Sequence, residues 1–454
     1  MAKKGLSALL EKLQTADGGI AMSINEFKEA QYGLPLKHYC LQYLFGSTGL
    51  RYGGFYMLAG KPKSCKSPCA FFLAHLCCEN EGVAYVFELE GKASPTLLSS
   101  MFSDHPEWMD TGVFRFIKGL TLDKAERHLV KQILPTFRQL GVYDTPLLID
   151  FDSISGAAMS DVVDKINKDG VASKGYYEKA HIMKHLSENW SALIGNLPVV
   201  FIGVLQEKEK AAEGWAPAAG PQKSYGGGDS QLFKAGTLLS FSHGTLPNGK
   251  LVRIKTALNG FADSRSIEVK FTWDQFGSLE TESQGHKWCW AESTVKCLAQ
   301  PKVVGDLRDI IDVKMSSTGD TVSCKQLGVD KVTPEEFEAA LFAPENEKVL
   351  HNLYLYHKIE RIKSPKEYAD YAQKLEDGEK AYKETQKLTQ QKEREAKAAE
   401  AAAKEAEKQA KREAKAAKNN KKDPMAALKD LAAKAARDMS DSKEAGSEHK
   451  EDQA

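Results

Sequence analysis

The residues of this chain best suited to chemistry begin at Leu58-Ala-Gly-Lys-Pro-Lys-Ser-Cys-Lys-Ser67, entered from the apolar run Gly54-Phe-Tyr-Met-Leu58 and followed by Phe71-Phe-Leu-Ala74. A strand, a turn of small and basic residues and then a helix is the arrangement in which backbone N–H groups converge on phosphate. Gly60, Lys61, Pro62, Lys63, Ser64, Cys65, Lys66 and Ser67 are therefore candidate ligands of a nucleotide. The pattern reads G-x-x-x-x-C-K-S, with Cys65 where glycine usually lets the backbone curl. Lys66 stands at the spacing that neutralises β- and γ-phosphates, and Ser67 at the spacing that holds Mg²⁺, so ATP and Mg²⁺ are the expected cofactors. The plain alternative is a Lys/Ser turn without a ligand. Later segments must decide between the two.

Three further apolar runs end in groups that suit the same chemistry. Gly82-Val-Ala-Tyr-Val-Phe-Glu-Leu-Glu90 ends in two carboxylates, as a parallel strand facing a ligand crevice would, and a carboxylate there can polarise a water for attack on a γ-phosphate. Pro146-Leu-Leu-Ile-Asp-Phe-Asp-Ser153 is a second strand ending in acid. Alternation places Asp150 and Asp152 on one face, and Asp152, nearer the strand end, is the better candidate to hold Mg²⁺. Leu197-Pro-Val-Val-Phe-Ile-Gly-Val-Leu205 finishes at Gln206, an amide placed to sense the γ-phosphate. One acid at a strand end is usually a cap or a surface residue. Four strand ends in order, counting the one that enters the lysine turn, favour a nucleotide site.

These residues carry a resemblance. The run from Leu41 to Ser67 resembles the entry to the ATPase core of RecA-type recombinases, and within that superfamily it is similar to the phage UvsX-like branch, whose loop also lacks the penultimate glycine. The likeness continues through Phe87-Glu-Leu-Glu-Gly-Lys-Ala-Ser-Pro95, Ile149-Asp-Phe-Asp-Ser-Ile-Ser155 and Gly226-Gly-Gly-Asp-Ser-Gln-Leu-Phe-Lys-Ala235, over roughly residues 35 to 275. It implies catalytic roles for Glu90, Lys66 and Gln206, with Ser67 and Asp152 at the metal. It places Gly227 in the end of a second DNA-binding loop, Phe233 at a subunit contact, and Lys255 where a basic group reaches the neighbouring subunit's nucleotide. Leu97 stands where relatives often stack a tyrosine on adenine. The fold implied is α/β: a RecA-like P-loop ATPase core with a mostly parallel sheet, a small C-terminal α/β domain and a charged helical tail.

Composition sets looser bounds. A chain of 454 residues allows about three domains. Its 62 basic and 62 acidic residues cancel, so DNA binding must come from local clusters. No apolar run is long enough to span a bilayer, Met1-Ala-Lys-Lys-Gly5 lacks the apolar core of a secretory signal, and the eight cysteines form no C-x-x-C pair. A cytoplasmic protein with reduced thiols, in the bacterial host if phage-encoded, is expected.

Two basic, aromatic segments follow the sensing strands and are read as loops. Lys165 to Lys179 carries Lys168, Lys174, Tyr176 and Tyr177; Glu207 to Gly226 carries Lys208, Lys210, Trp215, Lys223 and Tyr225. Lysines there can neutralise DNA phosphates and the rings can stack on bases, although composition alone fits a solvated surface equally well. The expected divisions are residues 1–34, an oligomerisation segment with the amphipathic stretch Leu6 to Leu13; 35–278, the ATPase core; 279–377, the C-terminal domain; and 378–454, a charged tail in a solvated helical or partly disordered state. The function expected is an ATP-dependent recombinase that forms helical filaments on single-stranded DNA and exchanges strands with double-stranded DNA, assisted by single-strand-binding and mediator proteins. A hexameric helicase motor and a non-hydrolysing DNA-binding paralogue are the alternatives.

Overall fold

Strands that are apolar along their whole length need cover on both faces, and this requirement organises the molecule. The computed structural model describes residues 30–169, 176–210, 222–225, 234–259, 263–273, 286–299, 306–420, 425 and 428–436. Its strands in chain order are β1 (Gly33–Pro35), β2 (Gly49–Arg51), β3 (Phe55–Gly60), β4 (Val83–Glu88), β5 (Phe114–Lys118), β6 (Leu147–Asp152), β7 (Val199–Lys210), β8 (Gln222–Tyr225), β9 (Thr237–Leu246), β10 (Gly249–Asn259), β11 (Ser266–Thr272), β12 (Lys287–Trp288), β13 (Val313–Met315), β14 (Val322–Cys324) and β15 (Val329–Val332). The principal helices are α1 (Tyr39–Phe45), α2 (Lys66–Glu79), α3 (Pro95–Met101), α4 (Ser160–Asp169), α5 (Tyr176–Ile194), α6 (Trp290–Leu298), α7 (Pro334–Leu341), α8 (Glu347–Tyr356) and α9 (Tyr368–Asn420).

The main sheet runs β12-β11-β10-β9-β3-β7-β6-β4-β5, with β8 paired to β7. Strands β9, β3, β7, β6, β4 and β5 are parallel; β10, β11 and β12 continue the sheet antiparallel. The chain is thus α/β with a large, mostly parallel sheet. Every residue of β3 and β6 is buried. Helix α2 packs on one face of the sheet in a cluster that includes Phe71, Leu148, Val200 and Ile202. It is apolar nearly all round, as a helix buried on several sides must be. On the opposite face, Phe55, Phe87, Ile149, Phe151 and Phe201 join Met183, Leu186 and Trp190 of α5.

Residues 286–377 divide between two cores. Trp288 and Trp290 belong to the cluster around α2, whereas Val295, Phe337, Leu341 and Leu353 pack with the sheet β13-β14-β15 and with Tyr39 of α1. Glu338 of α7 ties these parts together, accepting from the Tyr39 N–H at 3.1 Å and the Thr294 hydroxyl at 2.5 Å, and meeting His38 Nδ1 at 2.7 Å. Described residues up to Asp377 form one compact unit, and those from Gly378 belong to a second. Tyr368 and Ala372, at the start of α9, are buried, while from Glu379 to Lys415 only Tyr382 is less than fully exposed. Among the described residues no helix is long and apolar enough to cross a membrane.

Two segments differ from the loops expected. Lys165–Asp169 is the end of α4, where Asp161/Lys165 and Asp164/Lys168 stand at the i,i+4 spacing that supports a solvated helix. Strand β7 does not stop near Gln206 but continues to Lys210, and β8 returns beside it with Glu207 opposite Tyr225, Lys208 opposite Ser224, Glu209 opposite Lys223 and Lys210 opposite Gln222. The alternation Glu-Lys-Glu-Lys suits a two-stranded ribbon solvated on both faces. Backbone ladder bonds, rather than an apolar face, hold it.

Candidate active site

Parallel register brings the strand ends together. Gly60 pairs with Gln206, and Glu88 with Asp152, so β3, β7, β6 and β4 open onto one crevice at their carboxyl ends, the usual ligand position in such sheets. A cleft of about 510 Å³ lies there, lined by the 62–68 turn, Glu88, Glu90, Lys92, Asp152, Ser153 and Gln206, with Leu97, Phe271, Trp273 and His286 contributing apolar wall.

The 61–65 turn curls tightly. Lys63 and Cys65 both adopt left-handed backbone (φ 63° and 65°), so Cys65 takes the conformation glycine would adopt without strain. Gly60 is required for another reason: a Cβ there would stand 2.5 Å from the Phe241 carbonyl oxygen. Lys66 is buried and its ammonium donates to the carbonyls of Gly60 (3.0 Å) and Lys61 (2.8 Å). Burial lowers its pKa, opposed by the charges of Asp152 and Glu90. The N–H groups of Lys66 and Ser67 begin α2 and have no acceptor within that helix.

The acids of β6 divide sharply. Asp152, at the strand end, is hydrogen-bonded to the Ser67 side chain; burial pushes its pKa up to about 6, with Ser67 opposing and Glu90 and Glu88 adding to the rise. Asp150 is fully buried, its carboxyl oxygens have no hydrogen-bond partner among the described residues, and burial, then Asp152, raises its pKa well above the carboxylate range.

Glu90 lies two residues past the end of β4, in a turn where Glu88 accepts the N–H groups of Gly91 (2.9 Å) and Lys92 (2.7 Å). Its Oε1 accepts from the Ser153 hydroxyl and from Gln206 Nε2 (2.7 Å), and its Oε2 from Lys92 Nζ (2.6 Å). Burial alone would raise its pKa, but these donors, led by Lys92 and Ser153, hold it below the ordinary value. Gly156 leaves room for it, since a Cβ there would overlap the Glu90 carboxylate. Gln206 is fixed through its N–H, which donates to Ser155 Oγ at 2.8 Å, and Lys179 Nζ donates to the Ser155 carbonyl at 3.3 Å.

Lys66, Ser67, Asp152, Glu90 and Gln206 are thus brought into one cleft, and Leu97 lines it. Lys255 is not: it lines a separate depression with Arg253, Glu268 and Lys296. Lys168 is exposed on α4, Tyr176 opens α5, Lys208 is exposed on β7, Lys210 ends β7 and Lys223 lies in β8. Lys174, Trp215, Gly227, Phe233 and the 6–13 segment lie outside the described residues. Sequence reasoning missed Lys92, Lys250 and the aromatic wall. Lys250 of β10 donates to the Lys63 carbonyl across 187 residues of chain, a contact no local pattern could reveal. Trp273 just beyond β11 and His286 just before β12 offered a fainter signal, two rings at the ends of paired strands.

No protein-family model matches the chain, and no curated protein matches it significantly.

Proposed function

We propose that the cleft binds and hydrolyses ATP, and that the chain is a DNA-dependent ATPase of recombinase type, assembling as a filament on single-stranded DNA and pairing it with a homologous duplex. The observation that carries this reading is a direct connection: Gln206 touches the candidate base Glu90 at 2.7 Å, and the same strand continues as the β7–β8 ribbon bearing Lys208. Nucleotide state and ribbon geometry then share one element.

In this reading the curled turn and the first N–H groups of α2 receive the phosphates, and Lys66 exchanges its backbone carbonyls for phosphate oxygens. Ser67 and Asp152, already hydrogen-bonded, suit Mg²⁺, which supplies charge neutralisation at the β- and γ-phosphates. Among the described residues no group of three or more His, Cys, Asp or Glu could hold a metal by itself, consistent with an ion completed by phosphate and water. When the γ-phosphate takes the Gln206 amide, Glu90 Oε1 is released to accept a proton from water as that water attacks phosphorus and the bond to the β-phosphate oxygen breaks, leaving ADP and phosphate. The aromatic wall is suited to the base. Single-strand-binding and mediator proteins, and a cytoplasmic setting, belong to the same proposal.

The test images purified protein with and without single-stranded DNA and ATP while phosphate release is measured. Filaments with DNA-stimulated turnover, both lost in Lys66→Ala, are expected. A closed ring that unwinds duplex would transfer the site to a helicase, and DNA binding without turnover to a non-hydrolysing paralogue.

A further inference from the structure

From Gly378 to Lys415, α9 carries eleven basic and eight acidic residues, and the basic ones are not spread evenly around it. Starting at Lys380 and alternating steps of three and four residues, a track reaches Lys415 through eleven positions; nine are Lys or Arg and the others are Gln390 and Ala401. No Asp or Glu stands on it, and only Lys392 and Arg412 lie off it. All nine basic positions are exposed. Residues three and four apart share a helix face, so the track forms a ribbon of positive charge about 53 Å long. Because a strict seven-residue repeat drifts about 20° per heptad on a straight helix, the ribbon turns about 100° around α9.

We propose that this track is a second nucleic-acid surface, gripping the phosphate backbone of a duplex. Its spacing is that of a coiled-coil seam, but lysines in place of apolar residues disfavour pairing with a second copy. What remains is a partner with an extended, regular line of negative charge. Duplex DNA presents one phosphate per roughly 1.7 Å of axis, so a 53 Å track lies along about 16 base pairs with a phosphate within reach of every lysine. Glu379, Glu400 and Glu407 pair with Lys383, Lys404 and Lys411 at 3.6, 2.6 and 2.6 Å. Those pairs are in water and contribute little, so phosphates can displace them. The surface is independent of the cleft and stands whether or not the cleft hydrolyses ATP.

The experiment uses the full chain without nucleotide and a labelled 20-base-pair DNA duplex across a salt series. Replacing Lys404, Lys408, Lys411 and Lys415 by Gln, a comparable helix former, is expected to weaken binding at least tenfold at low salt and to lower the log–log salt slope by about 3 to 4. The double variant Lys392→Gln/Arg412→Gln should stay within twofold of wild type, and Arg at the same four track positions should keep the slope. An unchanged slope in the fourfold Gln variant overturns the proposal. So does a loss of equal size per charge in the off-track control, or a loss of poly-glutamate binding with duplex binding retained.

Discussion

Around the cleft, Lys66, Glu88, Asp150 and Asp152 are buried and Glu90 is partly so, each within the field of the others; from Gly378 to Lys415, nineteen charged residues stand in water and meet mainly neighbours one helical turn away. The same residue types do different physical work in the two regions. Where charge is buried, each group depends on a particular donor or acceptor, and its protonation shifts when that partner is missing or wrong. Where charge is exposed, solvent screens each pair and only number and spacing matter. Single substitutions should therefore be severe in the compact unit and nearly silent in the tail.

The largest expected effect is Glu90→Gln. It keeps the contacts of shape and removes the base, so turnover should fall by about 10² to 10⁴ while ATP binding stays within a few-fold. Rapid-quench phosphate release with equilibrium nucleotide binding checks this. Normal turnover would remove Glu90 from the reaction and leave the cleft as a binding site only.

A buried group away from the cleft tests whether the contrast extends through the compact unit. Burial, then the Arg265 guanidinium, push His357 down to about 4 from its usual 6.5, and Tyr39 Oη lies 3.2 Å from its Nδ1. A depressed folded pKa contributes stability that is fully present above the unfolded value and lost as pH falls through the folded one. Unfolding free energy should therefore decline by on the order of 2 kcal/mol between pH 6.5 and 4 through this group. His357→Gln should flatten that part of the denaturation profile. An unchanged slope would show that His357 stays accessible to water.

Asp150 sharpens the point from the other side. A buried carboxyl without a partner costs stability, so Asp150→Val should raise the unfolding free energy by about 1 to 2 kcal/mol in urea melts. Asp152→Val, two residues along the same strand, should instead abolish Mg²⁺-dependent nucleotide binding. Destabilisation by Asp150→Val would mean that its carboxyl is satisfied within the fold.

Much of the cleft could be read in the chain because its parts are local: the lysine turn lies between one strand and one helix, and Glu90, Asp152 and Gln206 each follow an apolar run whose periodicity marks a strand. Contacts made across the sheet were hidden. Lys250, Trp273 and His286 reach the cleft only because β10, β11 and β12 pair in series beyond β9. The β7–β8 ribbon was hidden for a different reason. Its Glu-Lys-Glu-Lys alternation has the period of a strand but no apolar face, and polarity alone made it resemble a loop. Asp150 and Asp152 look alike in sequence; only the depth of β6 beneath α2 separates a neutral buried acid from a ligand at the rim.

The smallest effects come from two ion pairs of equal length. Lys92–Glu90 and Lys404–Glu400 both measure 2.6 Å, and both lysines are about equally exposed, at 72% and 69%. The glutamates differ: Glu90 is 11% exposed and Glu400 67%. If distance set the energy, double-mutant cycles would give equal coupling. Solvent around both members should instead hold Lys404/Glu400 at or below about 0.5 kcal/mol, with 1 M salt removing it. Desolvation of one carboxylate should place Lys92/Glu90 about 1 kcal/mol higher and leave it less sensitive to salt. Lys92→Met should also free Glu90 Oε2 and relax its lowered pKa, raising DNA-free turnover several-fold. Equal coupling energies would show that Glu90 is as solvated as a tail glutamate, and the distinction between the two regions would then fail at the residue on which the proposed chemistry depends.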